Sequence, residues 1–291
     1  MTKPMFSGCG TALVTPFRGG EVDYDAYAAL VDRQVEAGVN FLVALATTGE
    51  TPTLSSEEKV RLLQITREHS AGLPLLVGCG ANSVPGTLAN MKLLEPCGPD
   101  AWLVVVPYYN KPTQEGMYQY FKAVAAAADK PIVMYNVPGR TGANMEAATC
   151  LRIARDVPGI IATKEASGKI DQAYEILAGA PEGFSVLSGD DDLTLDMMEE
   201  GAVGVISVAS NVSPEKVTAM THCALIGNIG RARTVNSDLK PLYKACFVET
   251  SPIPVKAALS LMGLCTKEMR LPLTEASPST LELMAEIIRD A

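Results

Sequence analysis

Short apolar segments recur along the chain at a spacing of roughly 30 residues, the size of one strand-plus-helix unit. Between most of them lie stretches with helical periodicity, such as 25–37, 56–68 and 114–128. Strands that are apolar on both faces are typical of parallel sheets covered on both sides. The segments that we predict as strands are 11–15, 41–46, 74–78, 102–106, 131–135, 160–164, 184–188 and 204–208.

Eight such units predict an α/β fold in which the strands close into a (β/α)8 TIM barrel. The alternative is an open, doubly wound sheet, which would carry a glycine-rich phosphate turn after an early strand. The corresponding turn here, residues 46–50, reads Ala-Thr-Thr-Gly-Glu and lacks the GxGxxG pattern. We therefore favour the barrel over the open sheet.

The last part of the chain contains no further predicted strand. A helix over 214–226 should close the barrel, so we predict a catalytic barrel over residues 1–226 and a C-terminal helical region over residues 227–291. No flexible linker separates the two parts, and the helical region should therefore pack on the barrel. The helices that we predict within that region are 231–248, 255–263 and 279–291.

The charge and the cysteine and histidine content argue against several classes of function. A net charge of −9 disfavours nucleic-acid binding and binding to an anionic membrane surface. No apolar run reaches the length of a membrane span, and no basic segment with an apolar signal core opens the chain. The seven cysteines include no CxxC pair and there are only two histidines. We therefore expect reduced thiols, a cytoplasmic location, no metal site and no cofactor.

A lysine at the end of an apolar strand is the most informative single residue. The predicted strand 160–164 ends in Lys164, and Glu165 follows at once. Burying an unpaired ammonium costs several kcal/mol, so such a site favours the neutral amine, a nucleophile that forms a Schiff base with a carbonyl. The alternative is a strand-end lysine that reaches solvent or pairs with Glu165.

Further polar side chains follow other predicted strands. In a parallel barrel the catalytic groups stand at the C-terminal ends of the strands, so these side chains should meet at one end. Each also has an ordinary interpretation, as a turn residue, a core tyrosine or a solvated loop charge. The candidates are Thr47 and Thr48 after the second strand, Tyr109 after the fourth, Tyr135 at the end of the fifth, and Arg140 in the loop that follows.

A carbonyl acid is the substrate class that this set of side chains fits. Lys164 would attack the ketone carbon, and Tyr135 could move protons. An arginine fork or a threonine hydroxyl could hold a carboxylate, and Arg140 is the arginine in this set.

Six short motifs together resemble the dihydrodipicolinate synthase family, within the N-acetylneuraminate lyase superfamily. Their order and spacing are more specific than any one of them, and the similarity runs over about residues 7–272. The motifs are Thr-Thr-Gly-Glu at 47–50, Gly-Ala-Asn at 80–82, Tyr-Tyr-Asn at 108–110, Tyr-Asn-Val-Pro-x-Arg-Thr-Gly at 135–142, Lys-Glu-Ala-Ser-Gly at 164–168 and Pro-Ile-Pro-Val-Lys at 252–256.

The resemblance implies a pyruvate-dependent lyase of lysine and diaminopimelate biosynthesis. Lys164 would form the Schiff base with pyruvate, and Tyr135 would be the general acid/base. Thr47 would link Tyr135 to Tyr109 of a neighbouring subunit, within a homotetramer built as a dimer of dimers.

The resemblance also implies how the two substrates are held. Thr48 would help to hold the pyruvate carboxylate, and Arg140 would receive the carboxylate of L-aspartate semialdehyde. The main chain of Ile206 would lie against the catalytic relay.

Two rival functions share part of this site. N-acetylneuraminate lyase or a 2-keto-3-deoxy sugar acid aldolase would use the same lysine and tyrosine, but Arg140 and the Tyr-Tyr-Asn loop favour the synthase. A non-catalytic, ligand-binding barrel would form no imine with pyruvate.

The chain departs from the family pattern at two places. Ala46 replaces the usual glycine before Thr-Thr-Gly-Glu, which requires a negative φ at this residue. Family members that lysine inhibits carry histidines after that motif and a glutamate after Gly-Ala-Asn, whereas this chain has Ser56 and Lys59 in the first stretch and no acid over 83–86. We therefore expect weak or absent inhibition by L-lysine.

Overall fold

Eight parallel strands close into a barrel in the computed structural model, which describes residues 4–290. The first strand pairs with both the second barrel strand and the last, so this sheet has no open edge. The predicted (β/α)8 TIM barrel is therefore confirmed. The barrel strands are β1 Gly8–Ala12, β4 Phe41–Ala44, β5 Leu75–Gly78, β6 Ala101–Val105, β7 Ile132–Asn136, β8 Ile160–Glu165, β9 Ser185–Ser188 and β10 Gly204–Ser207, and a small hairpin is formed by β2 Phe17–Arg18 and β3 Glu21–Val22.

The first strand differs most from its predicted position. It begins at Gly8, three residues before the predicted start, because its two glycines hide the strand pattern. Packing explains why residue 10 is a glycine, because a Cβ at Gly10 would lie 2.0 Å from the Phe41 ring on the neighbouring strand.

Helices follow the strands, and several start at the predicted caps. The Asp23 carboxylate accepts a hydrogen bond from the amide of Ala26, and Ser55 and Glu58 form a capping box. None of the helices within residues 4–290 is long and apolar enough to cross a membrane. The helices are α1 Tyr24–Glu36, α2 Ser56–His69, α3 Val84–Leu94, α4 Gln114–Ala127, α5 Pro138–Thr141, α6 Ala147–Asp156, α7 Ile170–Gly179, α8 Thr194–Glu199, α9 Pro214–Leu225, α10 Ile229–Ala245, α11 Ile253–Leu261 and α12 Pro278–Asp290.

Side chains alternate between the barrel interior and the layer under the helices. On β7, Val133 and Tyr135 belong to the cluster inside the barrel, whereas Ile132 and Met134 pack under the helices. Ile206 on β10 also lies in the interior cluster and is only 1% exposed. The alternation therefore points Tyr135 into the barrel.

The C-terminal helices pack on the barrel, as predicted. Helix α10 lies against α9, and α12 contacts both α10 and α11. Helix α11 reaches the end of the barrel at which the strands finish, where Lys256 contacts Glu50, a residue that follows β4. The division of the chain after residue 226 stays a prediction.

Candidate active site

Lys164 and Tyr135 lie side by side at the C-terminal ends of two neighbouring strands. Their Cα atoms are partners in the parallel pairing of β7 with β8, so both side chains point to the same face of the sheet. Lys164 is 4% exposed and Tyr135 is 6% exposed. The Lys164 Nζ atom lies 4.3 Å from the centre of the Tyr135 ring. An amine and a phenol are thus brought together inside the barrel.

Glu165 does not neutralise the lysine. Its carboxylate accepts hydrogen bonds from the Ser167 amide at 2.7 Å, from Asn136 Nδ2 at 3.1 Å and from Gln172 Nε2 at 3.3 Å. Lys164 forms no ion pair within residues 4–290. The alternative in which Lys164 pairs with Glu165 is therefore wrong, because successive residues of a strand face opposite sides of the sheet.

Gly189, directly after β9, makes room for the lysine side chain. A Cβ at this position would lie 2.8 Å from Lys164 Cε and 2.6 Å from the Cβ of Ala166. Any side chain at Gly189 would displace the stem of the lysine, so this glycine supports the placement of the amine.

The two candidate threonines lie in a single 3₁₀ turn after β4, Thr47–Gly49. Thr48 is 4% exposed. Ala46 has a φ of −89°, so its methyl group is tolerated, as predicted. The left-handed conformation falls instead on Leu45, with a φ of 54°, and on Glu50, with a φ of 52°. Two non-glycine residues, one at each end of the turn, thus adopt a left-handed backbone conformation that is uncommon outside glycine.

Arg140 and Tyr109 lie at the mouth of the barrel. Arg140 sits on the short helix α5, and its Nη2 atom donates to the carbonyl of Ser251 at 2.9 Å. The amide of Tyr109 donates to the carbonyl of Thr141 at 3.3 Å. Tyr109 has a φ of 73° and is 88% exposed, so its side chain projects away from the protein.

Three of the predicted site residues line an open cleft of about 390 Å³. These are Thr47, Tyr135 and Arg140. Lys164, Thr48 and Ile206 are buried and are not among the lining residues of the cleft, and the exposed Tyr109 lies outside it. Within residues 4–290, no group of three or more histidine, cysteine or acidic side chains could hold a metal ion. The polar residues that also line the cleft are Thr51, Lys59, Asn90, Tyr108 and Thr141.

An ion pair behind the threonine turn was not predicted. Lys256 Nζ lies 2.7 Å from Glu50 Oε1, and both side chains are completely buried. The only signal in the sequence was that both residues fall in motifs shared with the family. Neither motif indicates that the two residues pair.

Comparisons with known proteins identify the family of this chain. The model of the dihydrodipicolinate synthetase family matches residues 5–291. A 4-hydroxy-tetrahydrodipicolinate synthase of Thermotoga neapolitana is 48% identical over 99% of both chains, and one of Phocaeicola vulgatus is 46% identical over 100% of this chain and 98% of its own. The crystal structure of dihydrodipicolinate synthase from Thermotoga maritima superposes with a TM-score of 0.97 at 47% identity, covering 98% of both chains. The chain therefore belongs to the dihydrodipicolinate synthetase family.

Proposed function

We propose that this chain catalyses the reaction for which its relatives are named, the synthesis of 4-hydroxy-tetrahydrodipicolinate from pyruvate and L-aspartate semialdehyde. The observation that carries this proposal is the buried Lys164, which has no ion pair within residues 4–290 and lies beside Tyr135, a residue that lines the cleft. Full-length relatives with this activity support it.

The proposed chemistry uses a protonated imine, formed on the lysine, as an electron sink. The Lys164 amine adds to the ketone of pyruvate and loses water, which gives a protonated imine. Loss of a methyl proton then gives an enamine, and its carbon attacks the aldehyde of the second substrate. The amine of that substrate displaces Lys164 by transimination and closes the ring. Tyr135 would move protons at each stage, because its phenol lies next to the amine.

Further roles complete the proposed site. Thr48 would hold the pyruvate carboxylate, and the main chain of Ile206 would border the relay. Since Tyr109 is exposed and lies outside the cleft of its own chain, we propose that it joins Thr47 and Tyr135 of a second copy. This role requires at least a dimer, and we propose a homotetramer.

We also propose a cytoplasmic location, where the seven free cysteines would stay reduced.

An activity assay separates this function from its rivals within the superfamily. The purified protein should condense pyruvate with L-aspartate semialdehyde, and should leave N-acetylneuraminate and 2-keto-3-deoxy sugar acids uncleaved. Cleavage of a sugar acid without condensation would assign the protein to a rival activity.

Replacing Arg140 with alanine should impair the second substrate more than the first. Arginine offers a planar fork for a carboxylate that lysine cannot copy, so Arg140→Lys should recover little. The KM for L-aspartate semialdehyde should rise by about 10-fold or more, the loss of one charge-assisted hydrogen bond, whereas imine formation with pyruvate should change less. The control is Arg155→Ala, another exposed arginine. Equal increases in both Michaelis constants would remove Arg140 from this role.

Inhibition by L-lysine should be weak or absent. Among the residues that the structure describes, the cleft is lined by the cations Lys59 and Arg140 and by no acidic side chain. Burial lowers the pKa of Lys59, although the neighbouring Glu58 opposes the shift. An ammonium that leaves water without an acceptor loses several kcal/mol, and about 3 kcal/mol already weakens binding more than 100-fold.

The measurement is enzyme activity against L-lysine from micromolar to tens of millimolar. Half-inhibition below about 1 mM, a tight regulatory affinity on the usual scale, would contradict this prediction. A Lys59→Glu variant, which places a carboxylate in the cleft, should be more sensitive to lysine than the unchanged protein.

A further inference from the structure

We propose that Lys256 and Glu50 are positioning residues of the catalytic centre. Through this ion pair, helix α11 holds the turn that carries the threonines. Together with the contact between Ser251 and Arg140, the pair fixes where that turn lies relative to Arg140. This inference rests on the function proposed above and assigns a role in catalysis to the C-terminal region.

Both oxygens of the Glu50 carboxylate have a partner, and the ion pair is fully enclosed. Lys256 Nζ contacts Glu50 Oε1 at 2.7 Å, and the second oxygen, Oε2, accepts a hydrogen bond from the amide of Arg270 at 3.2 Å. The Lys256 ammonium also lies 4.3 Å from the centre of the Phe17 ring. Both charged side chains are 0% exposed. Buried pairs of this kind contribute little net stability compared with apolar residues of similar size, so stability alone does not explain this one.

The backbone of Glu50 closes the turn that carries the threonines. Its amide donates to the carbonyl of Thr47 at 3.1 Å, and its carbonyl accepts from the amide of Thr53 at 2.9 Å. Glu50 adopts a left-handed conformation with φ 52° and ψ 33°, which a non-glycine residue holds only when its surroundings enforce it. The ion pair with Lys256 anchors the side chain of this residue. The position of Thr47 and Thr48 therefore depends on helix α11.

The same short segment also holds the arginine at the mouth. The carbonyl of Ser251, five residues before Lys256, accepts the hydrogen bond from Arg140 Nη2 at 2.9 Å. Two segments that line the cleft are thus fastened to residues 251–256. This arrangement sets the distance between the groups proposed to hold pyruvate and the arginine proposed to hold the second substrate.

A double substitution separates positioning from simple structural support. Glu50→Gln or Lys256→Met alone leaves one buried charge unpaired, and each should lower the melting temperature. The double variant Glu50→Gln/Lys256→Met removes both charges and should recover most of that loss. Its kcat/KM for pyruvate should nevertheless stay about 10- to 100-fold below that of the unchanged protein, the range expected when reacting groups are misplaced by up to an ångström.

The substrate whose kinetics are impaired gives a second readout. Because Glu50 closes the turn beside the proposed pyruvate site, the KM for pyruvate should rise more than the KM for the aldehyde, and borohydride trapping of the pyruvate imine should slow. The matched control is Lys267→Met/Glu275→Gln, which removes an ion pair of 2.9 Å whose side chains are 50% and 47% exposed. That variant should keep both its melting temperature and its kinetics.

A stable double variant with unchanged kcat/KM would overturn the proposal. If the double variant does not fold, Glu50→Asp takes its place, since it keeps the charge but withdraws the carboxylate by one methylene. A folded Glu50→Asp variant should show a raised KM for pyruvate, and an unchanged KM would likewise overturn the proposal. The unchanged protein is assayed alongside, and its failure to form any pyruvate imine would refute the proposed function itself.

Discussion

Replacing Lys164 with methionine should abolish condensation while leaving the barrel folded. Methionine has a similar length and is apolar, so it suits a position that is 4% exposed. Lys164 has no ion pair in the described part of the chain, so its replacement leaves no buried charge unpaired. Loss of the nucleophile should lower kcat by at least about 10³-fold.

Borohydride reduction in the presence of pyruvate identifies the reacting residue. The unchanged protein should gain a reduced three-carbon unit on the peptide that contains Lys164, and Lys164→Met should gain none. Lys169→Met is the matched control, because this exposed lysine lies only five residues away. A modification mapped to another lysine, or no modification at all, would remove Lys164 from its proposed role.

Replacing the Tyr135 hydroxyl should slow turnover by roughly 10²-fold or more, the contribution usual for a general acid/base. The hydroxyl has no hydrogen-bond partner within residues 4–290, so Tyr135→Phe should leave the melting temperature unchanged. The control is Tyr243→Phe on α10, which removes a buried hydroxyl that has no hydrogen-bond partner in the described part of the chain. Turnover close to normal, or a fall in stability that accounts for the lost activity, would indicate a core tyrosine instead.

Tyr109→Phe should cause a loss of similar size, although the side chain is 88% exposed. Co-expression of Tyr109→Phe with Lys164→Met tests whether the tyrosine acts in a second copy. In a mixed assembly, the Tyr109→Phe chain keeps its own lysine and receives Tyr109 from its partner, so activity should return. Mixed assemblies that remain inactive would show that Tyr109 does not act across subunits.

The sequence by itself determined the architecture and most of the candidate site. Apolar segments at regular spacing predict parallel strands, because strands covered on both faces are apolar on both faces. Strand ends then predict where polar side chains meet, which is how Thr47, Tyr135 and Lys164 were found. These signals lie in the order and spacing of residues along the chain, and none of them requires knowing which distant residues touch.

Only the tertiary structure decided which groups pair across long distances. Lys256 and Glu50 are 206 residues apart, and Arg140 and Ser251 are 111 residues apart. No periodicity or motif reports such a contact, because it exists only once the barrel has closed and α11 has packed on it. Likewise, the strand pattern places Lys164 and Glu165 on opposite faces, but closure of the barrel decides that the lysine faces inward.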